Sequence, residues 1–197
     1  MIETLQPTRE RIIDAAMRVF AREGLHGATT RGIAQEAEVN EVTLFRHFQN
    51  KEGLLTAVMT HAVTAHHGAW AGDETEWTGD LKQNLRRFAE GCYHMMSRDE
   101  PFLRTMVGEA RRHPEHARKV IMDAVKPMRE GFIAKLEAAR KAGLVRKGLD
   151  LGIACDAFTA MLFTGMLRNT AGCSWGYSAQ DYVATCADIF AAGLAPG

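Results

Sequence analysis

Residues 27–55 read GATTRGIAQEAEVNEVTLFRHFQNKEGLL, and the order of caps and apolar spacings within them decides the fold. Thr30 is placed to cap a short helix carrying Ile33, Ala34 and Ala37. Asn40 is placed to cap a second helix, in which Leu44 and Phe48 stand four apart and so share a face. Val39 before that cap and Leu44 after it have the spacing of a hydrophobic staple. Helix, short connection and helix within roughly twenty residues is helix-turn-helix spacing.

The same signals continue outward. Upstream, Thr8 is a candidate cap for a helix carrying Ile12, Ile13, Ala16, Val19 and Phe20, with Gly24 as its stop. Downstream, Asn50 can cap a helix with Leu54, Leu55, Val58, Met59 and Ala62 on one face, running towards Trp70. An acidic connection, residues 72–80, leads to an amphipathic helix marked by Leu81, Leu85, Phe88, Cys92, Met95 and Met96. Pro101 restarts the chain, Pro114 suits a first helical turn, and Pro127 is expected to break or kink a helix over 115–142 that Gly143 ends. Two long helices close the chain, from Asp150 to about Thr170 and from Ser178 to about Gly193. Strand signals are almost absent. The expected fold is all-α: an N-terminal three-helix bundle with a helix-turn-helix over residues 1–48, then a larger helical domain over 49–197.

Composition narrows the classes of function. The chain has 197 residues, of which 46% are hydrophobic and 24% charged, an ordinary globular balance. Lys plus Arg and Asp plus Glu both number 24, for a formal net charge of +0, which excludes a sequence-blind polycation. Residues 1–55 hold seven basic side chains (Arg9, Arg11, Arg18, Arg22, Arg31, Arg46, Lys51) against eight acidic ones (Glu3, Glu10, Asp14, Glu23, Glu36, Glu38, Glu41, Glu52), a net of −1. Cys92, Cys155, Cys173 and Cys186 form no C-x-x-C pair, so reduced thiols in a cytoplasm are expected. Met1 to Arg11 lacks the apolar core of a signal peptide, and the apolar run Ala157 to Leu167 falls short of the roughly 20 residues a bilayer needs.

The stretch from Gly27 to Leu55, with Ala15, Ala16, Phe20 and Gly24 before it, resembles the DNA-binding signature of the TetR family of transcriptional regulators. The octapeptide from Gly108 to Glu115, GEARRHPE, is similar to multidrug-type, AcrR-like members. If Leu44 and Phe48 face inward, then Glu41, Val42, Thr43, Phe45, Arg46 and His47 lie on the outward arc of the second helix of the motif. Arg there can read guanine, Glu can accept from cytosine, and apolar atoms can meet the thymine methyl. The resemblance implies Thr43, Phe45, His47 and Lys51 as contacts to the DNA backbone, and Glu41, Val42 and Arg46 as base readers. Thr30 and Arg31 are further candidates for phosphate contact. The chain departs from the family's usual pattern at Glu38, where Gly is common, and at Glu41, Phe45 and His47. Without glycine at 38 the turn is either strained or of another geometry.

A regulator needs an input. Phe88, Cys92, Met95, Met96, Phe102, Met106, Met122, Phe132 and Met161 are candidates to line a Met- and Phe-rich pocket for a small apolar effector. The resemblance implies a homodimer closed by the last two helices, with Phe158, Leu162, Gly165, Met166, Val183, Cys186 and Phe190 as candidate interface residues. The function expected is a repressor that binds a palindromic operator and is released by its effector. The alternative is a helical small-molecule-binding protein without DNA-binding activity. Neither a metal nor a cofactor is expected: the histidines, among them His61, His66, His67, His113 and His116, lack H-E-x-x-H spacing, and no nucleophile-elbow or phosphate-loop signature points to an enzyme.

Overall fold

Helical periodicity turns into ten α-helices in a computed structural model that describes residues 7–64, 77, 79–111, 114–172 and 175–196. No strand occurs among the described residues. Contacts divide the chain into two compact units, residues 1–65 with 101–124 and residues 66–100 with 125–197. In space, therefore, the division does not follow a single linear boundary after residue 48. Residues 65–76, which include most of the acidic connection and the expected end of a helix near Trp70, lie outside the described residues.

The first unit contains α1 (Thr8–Gly27), α2 (Thr30–Glu36), α3 (Glu41–Phe48), α4 (Lys51–Thr64), most of α6 (Glu100–Glu109) and α7 (Pro114–Val120). Thr8 is the first helical residue of α1, and Pro7 before it supplies no side-chain cap. Gly24 interrupts α1 at φ 69°, ψ 175°, after which the chain completes one more turn. The cap of α2 is Thr29, not Thr30: its Oγ1 accepts from the Gly32 N–H at 3.0 Å. Asn40 and Asn50 cap as expected, each Oδ1 accepting at 2.7 Å from the amides of Thr43 and Gly53. Ile12, Ile13 and Phe20 of α1, Ile33 of α2, Leu44 of α3 and Leu54 and Val58 of α4 are fully buried in one core. Phe102 and Met106 join that core, with the Phe102 ring 6.5 Å from Phe20.

The turn between α2 and α3 resolves the question posed by Glu38. The Glu38 amide donates to the Gln35 carbonyl at 3.1 Å and the Val39 amide to Ala34 at 2.9 Å, the two bonds of a Schellman motif. Glu38 occupies the left-handed position of that motif at φ 54°. The geometry is thus the one glycine favours, and an L-residue there costs about 1–2 kcal/mol. Glycine returns part of this through the greater freedom of the unfolded chain. Glu38→Gly is therefore expected to stabilise the protein by about 0.5–1 kcal/mol. A urea midpoint that stays put or falls would contradict a strained turn.

The second unit contains α5 (Leu81–Arg98), α8 (Lys126–Lys141), α9 (Leu151–Thr170) and α10 (Ala179–Leu194). Asp80 and Asp150 cap α5 and α9, each accepting at 3.0 Å, and Ser178 opens α10 with a capping box closed by Asp181. One π-helical turn, Ile121–Val125, precedes α8. Pro127 just after it has no N–H for the ladder, and a wider turn upstream accommodates the missing bond. Gly143 ends α8 at φ 79°, again in a Schellman arrangement. Helix α9, 20 residues at a mean hydropathy of 1.3, is long and apolar enough to cross a bilayer by composition, which the shorter run from Ala157 did not reveal. In this fold its apolar side is occupied: Phe158, Leu162 and Met166 are fully buried within the unit.

Candidate nucleic-acid interface

The helix-turn-helix presents its outer face from a rigid frame. Leu44 and Phe48 anchor α3 in the core, and Asn40 holds its first turn by accepting from both the amide and the hydroxyl of Thr43, at 2.7 and 2.8 Å. At the far end, the Asn50 amide donates to the Phe48 carbonyl at 2.8 Å across Gln49, whose φ of 65° and ψ of −49° define a rare, strained γ-turn. What remains outward is Val42 at 77% exposed, Phe45 at 39%, and the exposed Arg46 and His47. Arg31 on α2 is exposed as well. These five side chains are free to meet the edges and backbone of a duplex.

Other candidates are engaged within the protein. The Thr30 hydroxyl donates to the Glu41 carboxylate, a bond that ties the start of α2 to the start of α3. Glu41 is half-buried, so neither it nor Thr30 stands free at the surface as the outward arc suggested. Lys51 donates from Nζ to the carbonyls of Leu25 and Ala28, at 2.6 and 2.5 Å. Two of its three donors thus close the end of α1, where free carbonyls attract a cation. Reading the spacing could not detect this, because the carbonyls lie more than twenty residues upstream.

Two groups escape the sequence reading. The Arg9 guanidinium sits 5.5 Å from the centroid of the Phe48 ring, beside the end of α3. Arg18 and Arg22 converge on Glu36, with Arg18 Nε donating to Oε1 at 3.0 Å, and so tie α1 to α2. The Arg18 hydrogen bond, reinforced by both positive charges, holds the Glu36 carboxyl below the usual range.

In the second unit the expected pocket residues separate. Phe88 and Phe132 stack at 4.1 Å with an interplanar angle of 7°, and Phe158 and Phe190 stack at 4.3 Å, also at 7°. Trp77 meets Phe88 and Phe132 edge-on at 6.0 and 5.5 Å. Pocket and interface candidates therefore share one aromatic core. Cys92, Met95 and Met96 are buried in this unit and Met161 is half-buried, whereas Phe102 and Met106 belong to the other core and Met122 is 49% exposed in the π turn. An apolar stripe identifies a face; it does not say which neighbour covers it. Burial pushes the Cys92 thiol up to about 12 and Cys155 up to about 11, so both remain protonated packing groups at neutral pH.

The interface candidates are likewise inward. Phe158, Leu162, Gly165, Met166, Val183, Cys186 and Phe190 are all buried within the protomer. A Cβ on Gly165 would lie 1.9 Å from the Tyr182 ring, so that glycine serves the contact between α9 and α10. The large apolar side chains that α9 and α10 expose most are Ile153, 68% exposed, and Ile189, 61% exposed. Arg86 holds α10 to α5 through paired bonds to Asp188 at 2.9 and 2.7 Å, joined by Lys82 at 3.0 Å. A cavity of about 430 Å³ opens between α5 and α10, lined by Glu90, Tyr93, His94, Ser97 and Gln180 with Ala179 and Val183.

A capped helix-turn-helix with an exposed outer face, joined in one chain to a separate all-helical unit, is the architecture of a helical DNA-binding regulator. Residues 12–58 match the family described as bacterial regulatory proteins, tetR family, and residues 75–176 match the tetracyclin repressor-like C-terminal domain. The chain belongs to the TetR family of transcriptional regulators. It is 30% identical over 137 residues to the HTH-type regulator YvkB of Bacillus subtilis, a match spanning 64% of this chain and 70% of that one. It is 35% identical over 83 residues to the class D tetracycline repressor of Escherichia coli, covering 41% and 37% of the two chains. Among solved structures, the fatty acid degradation regulator FadR of Bacillus halodurans superposes with a TM-score of 0.77 at 20% identity, covering 95% and 96%. PfmR of Thermus thermophilus does so at 0.69 and 23%, covering 92% and 97%.

Proposed function

We propose that this regulator is a cytoplasmic repressor that binds a palindromic operator as a homodimer and leaves it when a small, largely apolar effector binds. The observation that carries the reading is the exposed set Arg31, Val42, Phe45, Arg46 and His47 on a helix-turn-helix in which Thr30, Glu41 and Lys51 are engaged within the protein. Arg46 is the guanine reader, Val42 and Phe45 meet thymine methyls or sugar, and His47 and Arg31 hold phosphates, with the third Lys51 donor available to one more. Half-sites then lie about 34–36 Å apart, one helical turn. With a net charge of −1 over residues 1–55, background affinity for unrelated DNA is low and binding depends on sequence contacts.

The dimer contact is assigned to α9 and α10 through their outer residues, Ile153 and Ile189 among them. The effector is assigned to the set Phe88, Cys92, Met95, Met96, Phe132 and Met161, where flexible methionines can yield to an apolar guest. Kinship with the tetracycline repressors supports repression as the output. Selection from random DNA is expected to return a palindrome. Arg46→Ala is then expected to cost about 1–3 kcal/mol per half-site, with relaxed preference at one base pair, in a gel-shift series at fixed salt. Failure to enrich any sequence, or an Arg46→Ala protein binding like its parent, would overturn the reading.

A further inference from the structure

Within the first unit lies a cleft of about 350 Å³, walled by Arg9 from α1, by Thr56, Thr60 and His61 along one stripe of α4, and by Lys119 and Asp123 from α7 and the π turn. Among the described residues, neither Arg9 nor Lys119 has a carboxylate partner: Arg9 lies over the Phe48 ring, and Lys119 forms no ion pair. Two permanent cations from separate helices therefore face one space, opposed there by the single carboxylate of Asp123. His61 adds a ring whose Nε2 lies 3.8 Å from Asp14 Oδ1. The Thr56 hydroxyl already donates to the Glu52 carbonyl at 3.0 Å, and the charged donors the cleft offers a guest are those of Arg9 and Lys119. Gly53 adjoins the cleft and packs against the Phe48 carbonyl, so a guest there touches the first turn of α4, directly behind the reading helix.

We propose that this cleft binds a small oxyanion, a carboxylate or phosphate held between the Arg9 guanidinium and the Lys119 ammonium. Two sources fit that chemistry, a free metabolite anion or a phosphate of bound DNA. Binding of the anion stands by itself, while any effect on an operator rests on the regulator reading above.

The test titrates the full-length protein with sodium phosphate and with sodium citrate, against sodium chloride at matched ionic strength, following heat or backbone amide signals at Thr56 and Thr60. Saturable binding by at least one of the two anions is expected. Arg9→Gln and Lys119→Gln should each weaken it about tenfold. Asp123→Asn should tighten it about threefold, a gain that misfolding cannot imitate. Lys141→Gln, at an exposed position in the second unit, should leave it unchanged. No difference from chloride, or parental affinity in both Arg9→Gln and Lys119→Gln, would overturn the site. With a selected operator, a salt slope reduced by about one in Arg9→Gln assigns the cleft to a DNA phosphate, and an unchanged slope assigns it to a free anion. Absence of operator binding would defeat the regulator reading and leave the anion titration standing.

Discussion

Alanine at position 53 is expected to remove operator binding and to lower the stability of the first unit by about 2–3 kcal/mol, through one misplaced methyl group. A Cβ built on Gly53 falls 2.2 Å from the Phe48 carbonyl oxygen and 3.3 Å from Asn50 Oδ1. Asn50 could shift, but the carbonyl has little freedom. It accepts the Asn50 amide across the γ-turn at Gln49, and its residue is anchored by a ring only 5% exposed. Relief must therefore come from moving the end of α3 away from α4, and α3 carries the reading face. For a chain of 197 residues thermal unfolding should fall by roughly 2–4 °C for each kcal/mol. Gly131→Ala is the control: nothing lies within 4 Å of a Cβ there, and alanine in a helix interior should stabilise. A Gly53→Ala protein that melts with its parent and retains operator affinity would refute this account of the α3–α4 junction.

The contrast between these two glycines shows where sequence reading reaches and where it stops. Local chemistry was legible: Asn40 and Asn50 cap the helices they were expected to cap, and Asp150 and Ser178 stand as caps where those two helices were expected to begin, because capping depends on residues within one turn. Thr29 and Thr30 show the limit. Either hydroxyl could cap α2, and the outcome is tied to a bond from Thr30 to Glu41, a tertiary contact. Lys51 is similar, since its charge suggests phosphate while its position beside the end of α1 supplies two carbonyls. Glu38 marks a different failure. The turn keeps its left-handed geometry despite the wrong residue, because the backbone bonds of the Schellman motif and the buried flanks outweigh about 1–2 kcal/mol of strain.

Apolar patterning was legible as faces but not as partners. Phe102 and Phe132 look alike in sequence, both large and at helical spacing, yet one packs beside Phe20 and the other beside Phe88. The last two helices carry more apolar surface than one face requires, and the bulkiest residues were natural choices for a contact between protomers. Burial reverses that preference. The larger side chains mostly fill the protomer, and the large apolar ones most exposed on these helices are Ile153 and Ile189, with Met161, Phe163 and Leu167 half-buried.

Phe158→Ala separates these two roles by experiment and carries the largest stability change expected in the second unit. The Phe158 ring is fully buried, stacked on Phe190 at 4.3 Å and set 6.0 and 6.2 Å from Phe132 and Phe88. Truncation removes its transfer free energy and leaves a cavity among rings whose backbones belong to four helices, so collapse is incomplete. The cost is expected to be about 3–5 kcal/mol, read from urea unfolding at fixed protomer concentration. Ile189→Asp should behave in the opposite way. Its side chain is 61% exposed, so the stability of the single chain should change little, while light scattering should show the proposed dimer weakened. If Phe158→Ala instead left unfolding nearly unchanged and dissociated the dimer, Phe158 would be an interface residue, and the stacked aromatic core would be the wrong description of this unit.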